Sequence, residues 1–398
     1  MQKIYKYIIV GAGIAAASAA AGIREVDPDS PILMIGDEAV PAYSRPMLTK
    51  TPLRSYELGR TIVYGPEWYQ ENKIDLLLGT RVRSIDNSSR LIATNRGDSF
   101  FYNRLIYAAG ANGSVPPIKG ADLPEVAVIR RYEDIMKVKR LSVNTGKAVI
   151  IGGGVIGLEA GFELARYGLD VTVLEALPML MPRFLDEDCA RMLEKSIHSF
   201  PVYTGVTIDE IGGRGHVEYV RLQDGREFPC DFVIMSTGVR ADTALAQAAG
   251  IKCDRSGILI NEKCETSAKD IFACGDCAAY GINWQLWSQA LEQGRVAGIN
   301  AAGGNASIQP TDSSMIINSP EISMFSCGDV GKDPNKTYTT EVDDNMQPDL
   351  FAVNKKFIRS YEKRFYCGEK LVGAIIIGNL ARMQELKEQI LGIAPREV

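Results

Sequence analysis

Cysteine and histidine, two side chains that often carry catalytic chemistry, are scarce in much of this chain. Only two of the 398 residues are histidine, and the first cysteine is Cys189. The eight cysteines do not have the spacing of a small disulfide-bonded domain, so we expect mostly buried, reduced thiols in a cytoplasmic protein. No cluster of side chains has the spacing of metal ligands, and no metal site is predicted.

Long hydrophobic runs and a strong positive charge are also absent. No stretch is long enough to span a membrane, and a net charge of −5 disfavours nucleic acid or an anionic membrane as a partner. Lys3 and Lys6 precede an apolar run, but this run lacks an A-x-A cleavage site and leads directly into a second strand. We therefore expect it to belong to the core rather than to a signal peptide.

The apolar run opens the most informative stretch of the chain. A β-branched segment at residues 8–10 is followed by Gly11, Gly13 and Ala16, in the pattern G-x-G-x-x-A, and then by an alanine-rich helix former. Gly11 permits a tight turn, Gly13 lets a pyrophosphate approach the backbone, and Ala16 lets the helix pack closely on the strand. The helix N-terminus would then face the phosphates.

A second strand, at residues 31–35, ends at Gly36, Asp37 and Glu38. The two acids lie 26 and 27 residues after Gly11, and either can accept hydrogen bonds from a ribose. A single motif of this kind is also compatible with an ordinary tight strand-to-helix turn. Residues 76–107 then alternate short strands with turns, which predicts a small β-meander ending in an apolar strand before Gly110.

The second half of the chain repeats this plan. A strand at residues 148–151 precedes Gly152, Gly154 and Gly157, in the pattern G-x-G-x-x-G, and a helix is predicted over residues 158–167. The next strand ends at Glu175, 23 residues after Gly152. A second meander with an Asp-Gly turn ends at FVIMSTGVRADT. Two complete units predict an α/β protein with two Rossmann-like dinucleotide-binding domains.

The last part of the chain departs from this plan. DIFACGDCAAY predicts a strand followed by the start of a helix, and a polar linker runs from Gly303 to Ser314. Beyond it, apparent strands at residues 353–359, 364–367 and 371–377 and a helix at 381–391 predict a small separate α+β domain.

The order of the motifs G-x-G-x-x-A, SRPMLTK, LIYAAG, GGGVIGLE, VTVLE, STGVRADT and DIFACGDCA resembles the pyridine nucleotide-disulfide oxidoreductase superfamily. SRPMLTK and the short C-terminal domain are most similar to NADH:rubredoxin reductases and related ferredoxin reductases. The resemblance implies a glutathione reductase-type architecture. Its segments would be an FAD-binding domain in two parts (1–113 and 238–309), an NAD-binding domain (114–237) and a C-terminal α+β domain (314–398).

The resemblance also implies a set of cofactor-binding residues. In the FAD domain Gly11, Gly13 and Ala16 would hold the pyrophosphate and Glu38 or Asp37 the adenosine ribose. The other FAD residues would be Arg45 near the diphosphate, Lys50 beside the isoalloxazine, Gly110, and Gly275 with Asp276 at the ribitol and phosphate. NADH would be held by Gly152, Gly154, Gly157, Glu175 and Gly238.

Three residues are candidates for the catalytic site by the same resemblance. Lys50 would stabilise reduced flavin, Glu159 would lie near the nicotinamide, and Trp287 would border the flavin. Each has an ordinary alternative: a solvated loop lysine, an acid favoured by the helix macrodipole, and a core tryptophan. Met47 stands where the family usually has a second proline, which leaves the loop conformation open.

The cofactor choice follows from Glu175. A carboxylate at this strand end accepts from the ribose 2′-hydroxyl and repels a 2′-phosphate, and no arginine follows it closely, so NADH is predicted over NADPH. Disulfide reductases of the superfamily have a C-x-x-x-x-C pair in the FAD domain, and single-cysteine relatives have one near Ser44. Neither is present here. Cys274 and Cys277 have redox spacing, but they flank Gly275-Asp276, so buried structural thiols are the favoured interpretation.

These features predict an NADH-dependent flavoprotein reductase that passes electrons through FAD to a small carrier such as rubredoxin or ferredoxin. An NADH oxidase using oxygen or a small-molecule acceptor, or an NADH-sensing regulatory flavoprotein, are the alternatives. A basic segment could dock an acidic carrier or could be the exposed face of a hairpin. Its cations are Lys355, Lys356, Arg359, Lys363 and Arg364.

Overall fold

The computed structural model describes residues 3–51, 53, 56–143, 145–311, 313–348 and 357–393. Its helices are α1 (Ile14–Val26), α2 (Met47–Lys50), α3 (Pro66–Glu71), α4 (Tyr132–Val143), α5 (Val155–Arg166), α6 (Glu187–Ser196), α7 (Ala244–Ala248), α8 (Trp287–Ala301) and α9 (Met383–Leu391).

The first twelve strands are β1 (Lys3–Val10), β2 (Ile32–Ile35), β3 (Ile74–Leu77), β4 (Val82–Asp86), β5 (Leu91–Thr94), β6 (Ser99–Tyr107), β7 (Ala111–Gly113), β8 (Val126–Val128), β9 (Lys147–Ile151), β10 (Asp170–Leu174), β11 (Val202–Tyr203) and β12 (Ile208–Gly212). The others are β13 (Tyr219–Leu222), β14 (Glu227–Pro229), β15 (Phe232–Met235), β16 (Val239–Ala241), β17 (Ile258–Leu259), β18 (Ile271–Ala273), β19 (Ala278–Ala279), β20 (Met315–Asn318), β21 (Ser323–Gly328), β22 (Thr339–Pro348), β23 (Phe357–Cys367) and β24 (Lys370–Gly378).

The chain divides into two compact units. Unit 1 comprises Met1–Met47, Glu57–Asn112 and Val239–Thr311, and unit 2 comprises Leu48–Tyr56, Gly113–Gly238 and Asp312–Val398. Both units are mixed α/β with parallel sheets, as the sequence predicts. The four-segment domain scheme stays a prediction.

Unit 1 is built on a sheet in the order β3-β2-β1-β6-β5-β4, with β18 paired to β6. Strands β3, β2, β1, β6 and β18 run parallel. The central strand β1 buries both faces, as expected where a parallel sheet is covered on each side. Tyr7 and Ile9 pack with α1 and α8, whereas Ile8 and Val10 pack with Leu33 and other residues of the opposite core.

The predicted meander is only partly separate from this sheet. Strands β4, β5 and β6 are antiparallel, but β6 also pairs in parallel with β1, because its apolar end continues the core of the main sheet. The helix start predicted within DIFACGDCAAY is wrong. Residues Gly275–Cys277 form one 3₁₀ turn, the chain then enters β19, and the next helix begins only at Trp287.

Unit 2 contains a parallel sheet in the order β11-β10-β9-β15-β8. The predicted second meander is the antiparallel sheet β12-β13-β14, with Asp224 and Gly225 between its last two strands. The C-terminal part of unit 2 forms an antiparallel sheet in the order β20-β21-β24-β23-β22, against which α9 packs.

Sequence patterns alone did not find β20, β21 or β22. The strands predicted at residues 353–359 and 364–367 are, from Phe357 onward, the single strand β23, whose mixed polar sequence hides its length. Residues 353–356 lie outside the described residues. Over the part of the chain that the structure describes, no helix is long and apolar enough to cross a membrane.

Candidate functional site

The glycine loop of unit 1 has a backbone that only glycine fits at its first position. Gly11 has φ +122°, and its N–H donates to the Ile35 carbonyl at 2.7 Å. A Cβ at this position would lie 2.1 Å from the Ala108 oxygen. The turn after β1 therefore requires glycine for both its conformation and its space.

The same loop leads into the N-terminus of α1. Gly13 precedes the helix in an extended conformation and provides no side-chain cap for the first-turn N–H groups. The nearest atom to a Cβ built there is Nη2 of Arg45, at 4.0 Å. Uncapped helix amides beside a guanidinium suit a pyrophosphate, so the residues present fit the phosphate end of FAD.

Glu38 anchors that guanidinium. One of its carboxylate oxygens pairs with Arg45, and the other accepts from the Tyr43 hydroxyl at 2.8 Å. Burial opposes the charge on Arg45, but Glu38, Tyr43 and Asp276 together outweigh burial and raise the pKa of the guanidinium. Glu38 is thus built into the loop, whereas the neighbouring acid, Asp37, is exposed.

The Gly275-Asp276 turn packs on the same helix. Gly275 has φ +77°, and a Cβ there would lie 2.7 Å from the Cβ of Ala15 in α1. Trp287 is half-buried at the first position of α8 and packs against the core of unit 1. Gly110 also has a positive φ, and its carbonyl accepts from the Asp242 N–H at 2.9 Å.

Unit 2 repeats the glycine-loop geometry. Gly152 has φ +113°, and a Cβ there would lie 2.2 Å from the Ser236 oxygen. A Cβ at Gly157 would lie 2.1 Å from the Gly152 oxygen, whereas one at Gly154 would meet nothing within 4 Å. Gly238 has φ +88°, and its carbonyl accepts from the Ser114 N–H. The loop fits a second dinucleotide.

Glu175 lies directly after β10 and folds back on this loop. It is only 9% exposed, and its carboxylate accepts from the N–H groups of Gly153 at 2.6 Å and Leu177 at 2.8 Å. The acid is therefore held at the end of the strand by the backbone, beside the second position of the glycine motif.

Lys50 and Glu159, named separately from the sequence, form an ion pair within unit 2. The Lys50 ammonium lies 2.6 Å from Glu159 and also donates to the Ile316 carbonyl at 3.0 Å. Glu159 is 8% exposed and accepts a second bond from the Thr49 hydroxyl at 2.5 Å. The pair fixes the ammonium of a lysine that remains partly exposed.

Comparison with known proteins decides the family. The family model described as "Pyridine nucleotide-disulphide oxidoreductase" matches residues 5–294. This chain belongs to that family.

Several relatives of this oxidoreductase are similar over most of its length. It is 35% identical to an NADH oxidase of Methanocaldococcus jannaschii, over 78% of this chain and 72% of that protein. It is 32% identical to an NADH-rubredoxin oxidoreductase of Clostridium acetobutylicum, over 89% and 90%. The solved structure of the latter has a TM-score of 0.77, with 29% identity, and the match covers 100% of this chain and 97% of that one.

A further relative is longer. The oxidoreductase is 30% identical to a nitrite reductase [NAD(P)H] of Bacillus subtilis over 96% of this chain but spans only 47% of that protein. The predicted superfamily, the two-dinucleotide fold and the oxidoreductase class are confirmed. The cofactors are FAD and NADH, as in this family and its NADH-rubredoxin oxidoreductases.

The cysteines of the oxidoreductase do not offer a reactive thiolate at the Gly275-Asp276 turn. Cys274 and Cys277 are fully buried free thiols. Burial raises the pKa of Cys277 to about 12 and raises that of Cys274 well above its ordinary value. Both thiols are directed at backbone carbonyls, those of Ala15, Tyr107 and Cys274. This favours the structural interpretation.

The described cations of the C-terminal basic segment have partners within the chain. Lys363 is 9% exposed and pairs with Asp186 and Asp188. Arg359 pairs with Asp344, and Arg364 pairs with Asp343, Glu341 and Glu362. Lys355 and Lys356 lie outside the described residues. The three described cations are therefore paired with acids, which weakens the case for docking through them.

Sequence analysis missed Thr49, Gln289 and Gln293. Thr49 could have been noticed next to Lys50, but nothing in the sequence pairs it with Glu159. Gln289 and Gln293 lie on the buried face of α8. Two polar residues at helical spacing on an otherwise apolar face are the signal that could have identified them. No group of three or more His, Cys, Asp or Glu side chains among the described residues could hold a metal ion.

Proposed function

We propose that this oxidoreductase passes electrons from NADH through FAD to a small electron-carrier protein of the rubredoxin or ferredoxin type. When bound, FAD accepts two electrons from NADH together and releases them one at a time. The protein's own part is to hold the two dinucleotides, fix charged groups beside them and exclude competing chemistry.

The residues of unit 1 would hold FAD. The first-turn amides of α1, reached past Gly11 and Gly13, would bind the pyrophosphate together with Arg45. Glu38 would keep Arg45 oriented and accept from the adenosine ribose. Asp276 would accept hydrogen bonds from the ribityl hydroxyls, Ala16 would let α1 pack closely on the sheet, and Gly110 would lie beside the cofactor.

The residues of unit 2 would hold NADH. The pyrophosphate would lie against Gly152, Gly154 and Gly157. Gly238 lies after β15, the strand that neighbours β9 in the same sheet. Glu175, fixed by two backbone amides, would accept from the adenosine ribose and disfavour a 2′-phosphate. NADH is therefore the proposed physiological donor rather than NADPH.

The observation that carries the proposal is the Lys50–Glu159 pair. The loop that bears a cysteine in thiol-dependent relatives here ends in a lysine, whose ammonium is fixed by a nearly buried carboxylate. A fixed cation stabilises negative charge developing on a cofactor without taking part in covalent chemistry. Electron transfer through a flavin to a carrier needs no thiol, and a fixed positive charge is compatible with it.

The name of the NADH-rubredoxin oxidoreductase relative supports rubredoxin as the acceptor. The match to that relative covers 89% of this chain and 90% of that protein. The name of the NADH oxidase relative supports oxygen as an alternative. An NADH-sensing role is the third reading of the same fingerprints. We place the enzyme in the cytoplasm, where reduced buried cysteines are the rule.

The deciding experiment is anaerobic stopped-flow. The FAD-loaded protein is reduced with NADH and mixed with oxidised rubredoxin, oxidised ferredoxin or oxygenated buffer, while flavin absorbance is followed. We expect reoxidation by one of the carriers to be faster than by oxygen. Faster reoxidation by oxygen would favour the oxidase, and slow reoxidation by every acceptor would favour the sensing role.

A further inference from the structure

Two buried glutamines of α8 have no part in the motifs that define the cofactor sites. Gln289 is 8% exposed and Gln293 is 1% exposed, and they lie one helical turn apart on the same face. A buried primary amide is costly unless its oxygen and nitrogen find partners. Their partners therefore show what these side chains hold in place.

Gln293 holds the turn that carries Asp276. Its Oε1 accepts from the Gly275 N–H at 2.9 Å, and this bond is buried. Gly275 has a positive φ and abuts Ala15, so the turn has little freedom to adjust. Gln293 therefore fixes the backbone immediately before Asp276.

Gln289 holds the loop that leads into Trp287. Its Oε1 accepts from the N–H groups of Trp284 at 3.0 Å and Gln285 at 3.1 Å, and its Nε2 donates to the Ile282 carbonyl at 3.1 Å. Gln285 has φ +57°, a conformation that most residues avoid and that this loop must maintain. The residue that caps α8, Leu286, cannot supply such bonds with its own side chain.

Asn283 links the two held segments. Its Nδ2 donates to the Asp276 carbonyl at 3.1 Å and to the Ser256 carbonyl at 2.8 Å. The turn at Gly275-Asp276 and the loop before Trp287 are therefore linked by hydrogen bonds. Gln293 and Gln289 of the same helix, α8, each hold one of these two segments.

We propose that Gln293 and Gln289 are positioning residues for FAD. Gln293 fixes the turn that positions Asp276, and Gln289 fixes the loop that leads into Trp287. The assignment rests on the FAD placement proposed above. Neither glutamine needs to touch the cofactor, since each acts through a backbone segment.

The test compares Gln293→Met and Gln289→Met with a matched control, Asn300→Leu. Asn300 lies at the opposite end of α8, where its amide makes three comparable bonds, to Lys263 and to both polar backbone groups of Ala306. Each variant is assayed for FAD affinity by fluorescence titration of the apoprotein, visible circular dichroism of bound flavin, and thermal unfolding without FAD.

Gln293→Met should weaken FAD binding about tenfold, the usual cost of an unsatisfied buried N–H. Gln289→Met should alter the visible circular dichroism and lower kcat with little change in the KM for NADH. Gln289→Glu keeps the acceptor for Trp284 and Gln285 but loses the donor to Ile282, so it should restore both in part. Asn300→Leu should lower thermal stability as much as either variant but leave FAD affinity and the flavin spectrum at wild-type values.

Equal loss of FAD affinity in Gln293→Met and Asn300→Leu would overturn the inference, because both would then act through helix stability. Wild-type FAD affinity in Gln293→Met, with a wild-type flavin spectrum in Gln289→Met, would overturn it as well while leaving the proposed function intact. A wild-type protein that binds no FAD would overturn both proposals.

Discussion

The glycine loops of the two units share a backbone but differ in the surroundings of their acids. In each loop the first glycine has a strongly positive φ and lies against a carbonyl at the exit of a neighbouring strand. Glu38 of unit 1 pairs with a cation, Arg45, whereas Glu175 of unit 2 is held by the N–H groups of Gly153 and Leu177.

This difference matches two kinds of ligand. A guanidinium beside uncapped helix amides adds charge-assisted hydrogen bonds to a pyrophosphate, which suits a cofactor that stays bound. An acid fixed only by backbone amides can select a ribose without adding strong phosphate contacts, which suits a cosubstrate that must leave after each turnover. On the proposed assignment, a few side chains outside the glycine motif would decide whether the same fold unit holds its ligand tightly or exchanges it.

The third position of the glycine motif is Ala16 in unit 1 and Gly157 in unit 2, and we expect substitutions there to have the largest effect. Ala16 is buried without strain in unit 1, but a Cβ at Gly157 would lie 2.1 Å from the Gly152 oxygen. We expect Gly157→Ala to destabilise unit 2 by about 2–3 kcal/mol, since backbone atoms must move, and to raise the KM for NADH strongly. The reciprocal Ala16→Gly should cost only about 1 kcal/mol.

Thermal unfolding and NADH kinetics of the two variants check this prediction. A Gly157→Ala variant with the stability and KM of the wild type would mean that the two helices tolerate the same packing. The contrast between the units would then be confined to the acids.

Glu175→Ala and Glu38→Gln test those acids. Glu175→Ala should raise the KM for NADH about tenfold and relax selectivity toward NADPH, since a ribose contact and the support of two amides are lost. Glu38→Gln removes the charge opposite Arg45, so it should weaken FAD binding and leave the KM for NADH unchanged. Unchanged NADH/NADPH selectivity in Glu175→Ala would remove this residue from the ribose site.

Sequence reasoning recovered what local patterns encode. Both glycine loops, the acids after β2 and β10 and the parallel strands follow from periodicity and spacing over short distances. The pairing of β6 with β1 and the single long strand β23 did not, because strand partners are set by contacts far apart in sequence. The 3₁₀ turn at Gly275–Cys277 was mistaken for a helix start because both begin with the same residue types.

The candidate site shows the same limit. Lys50 and Glu159 were named separately, 109 residues apart, and only the fold shows that they pair. The sequence allows Lys363 to be a docking cation or part of an exposed hairpin face, but the acids that pair with it, Asp186 and Asp188, are distant in sequence. Single residue types were thus predictable, whereas the ion pairs that decide their chemistry were not.

The smallest expected effect concerns a feature found only in unit 1, the C-x-x-C pair around Asp276. Since burial raises the pKa of Cys277 to about 12, the thiol stays protonated at neutral pH and cannot act as a nucleophile. We expect Cys274→Ser with Cys277→Ser to keep NADH-to-carrier activity within about twofold, because hydroxyls can donate to the same carbonyls. Activity is measured from about pH 6 to pH 9, with FAD content as the control. A large loss at full FAD content would show that the units differ in redox chemistry as well as in their acids.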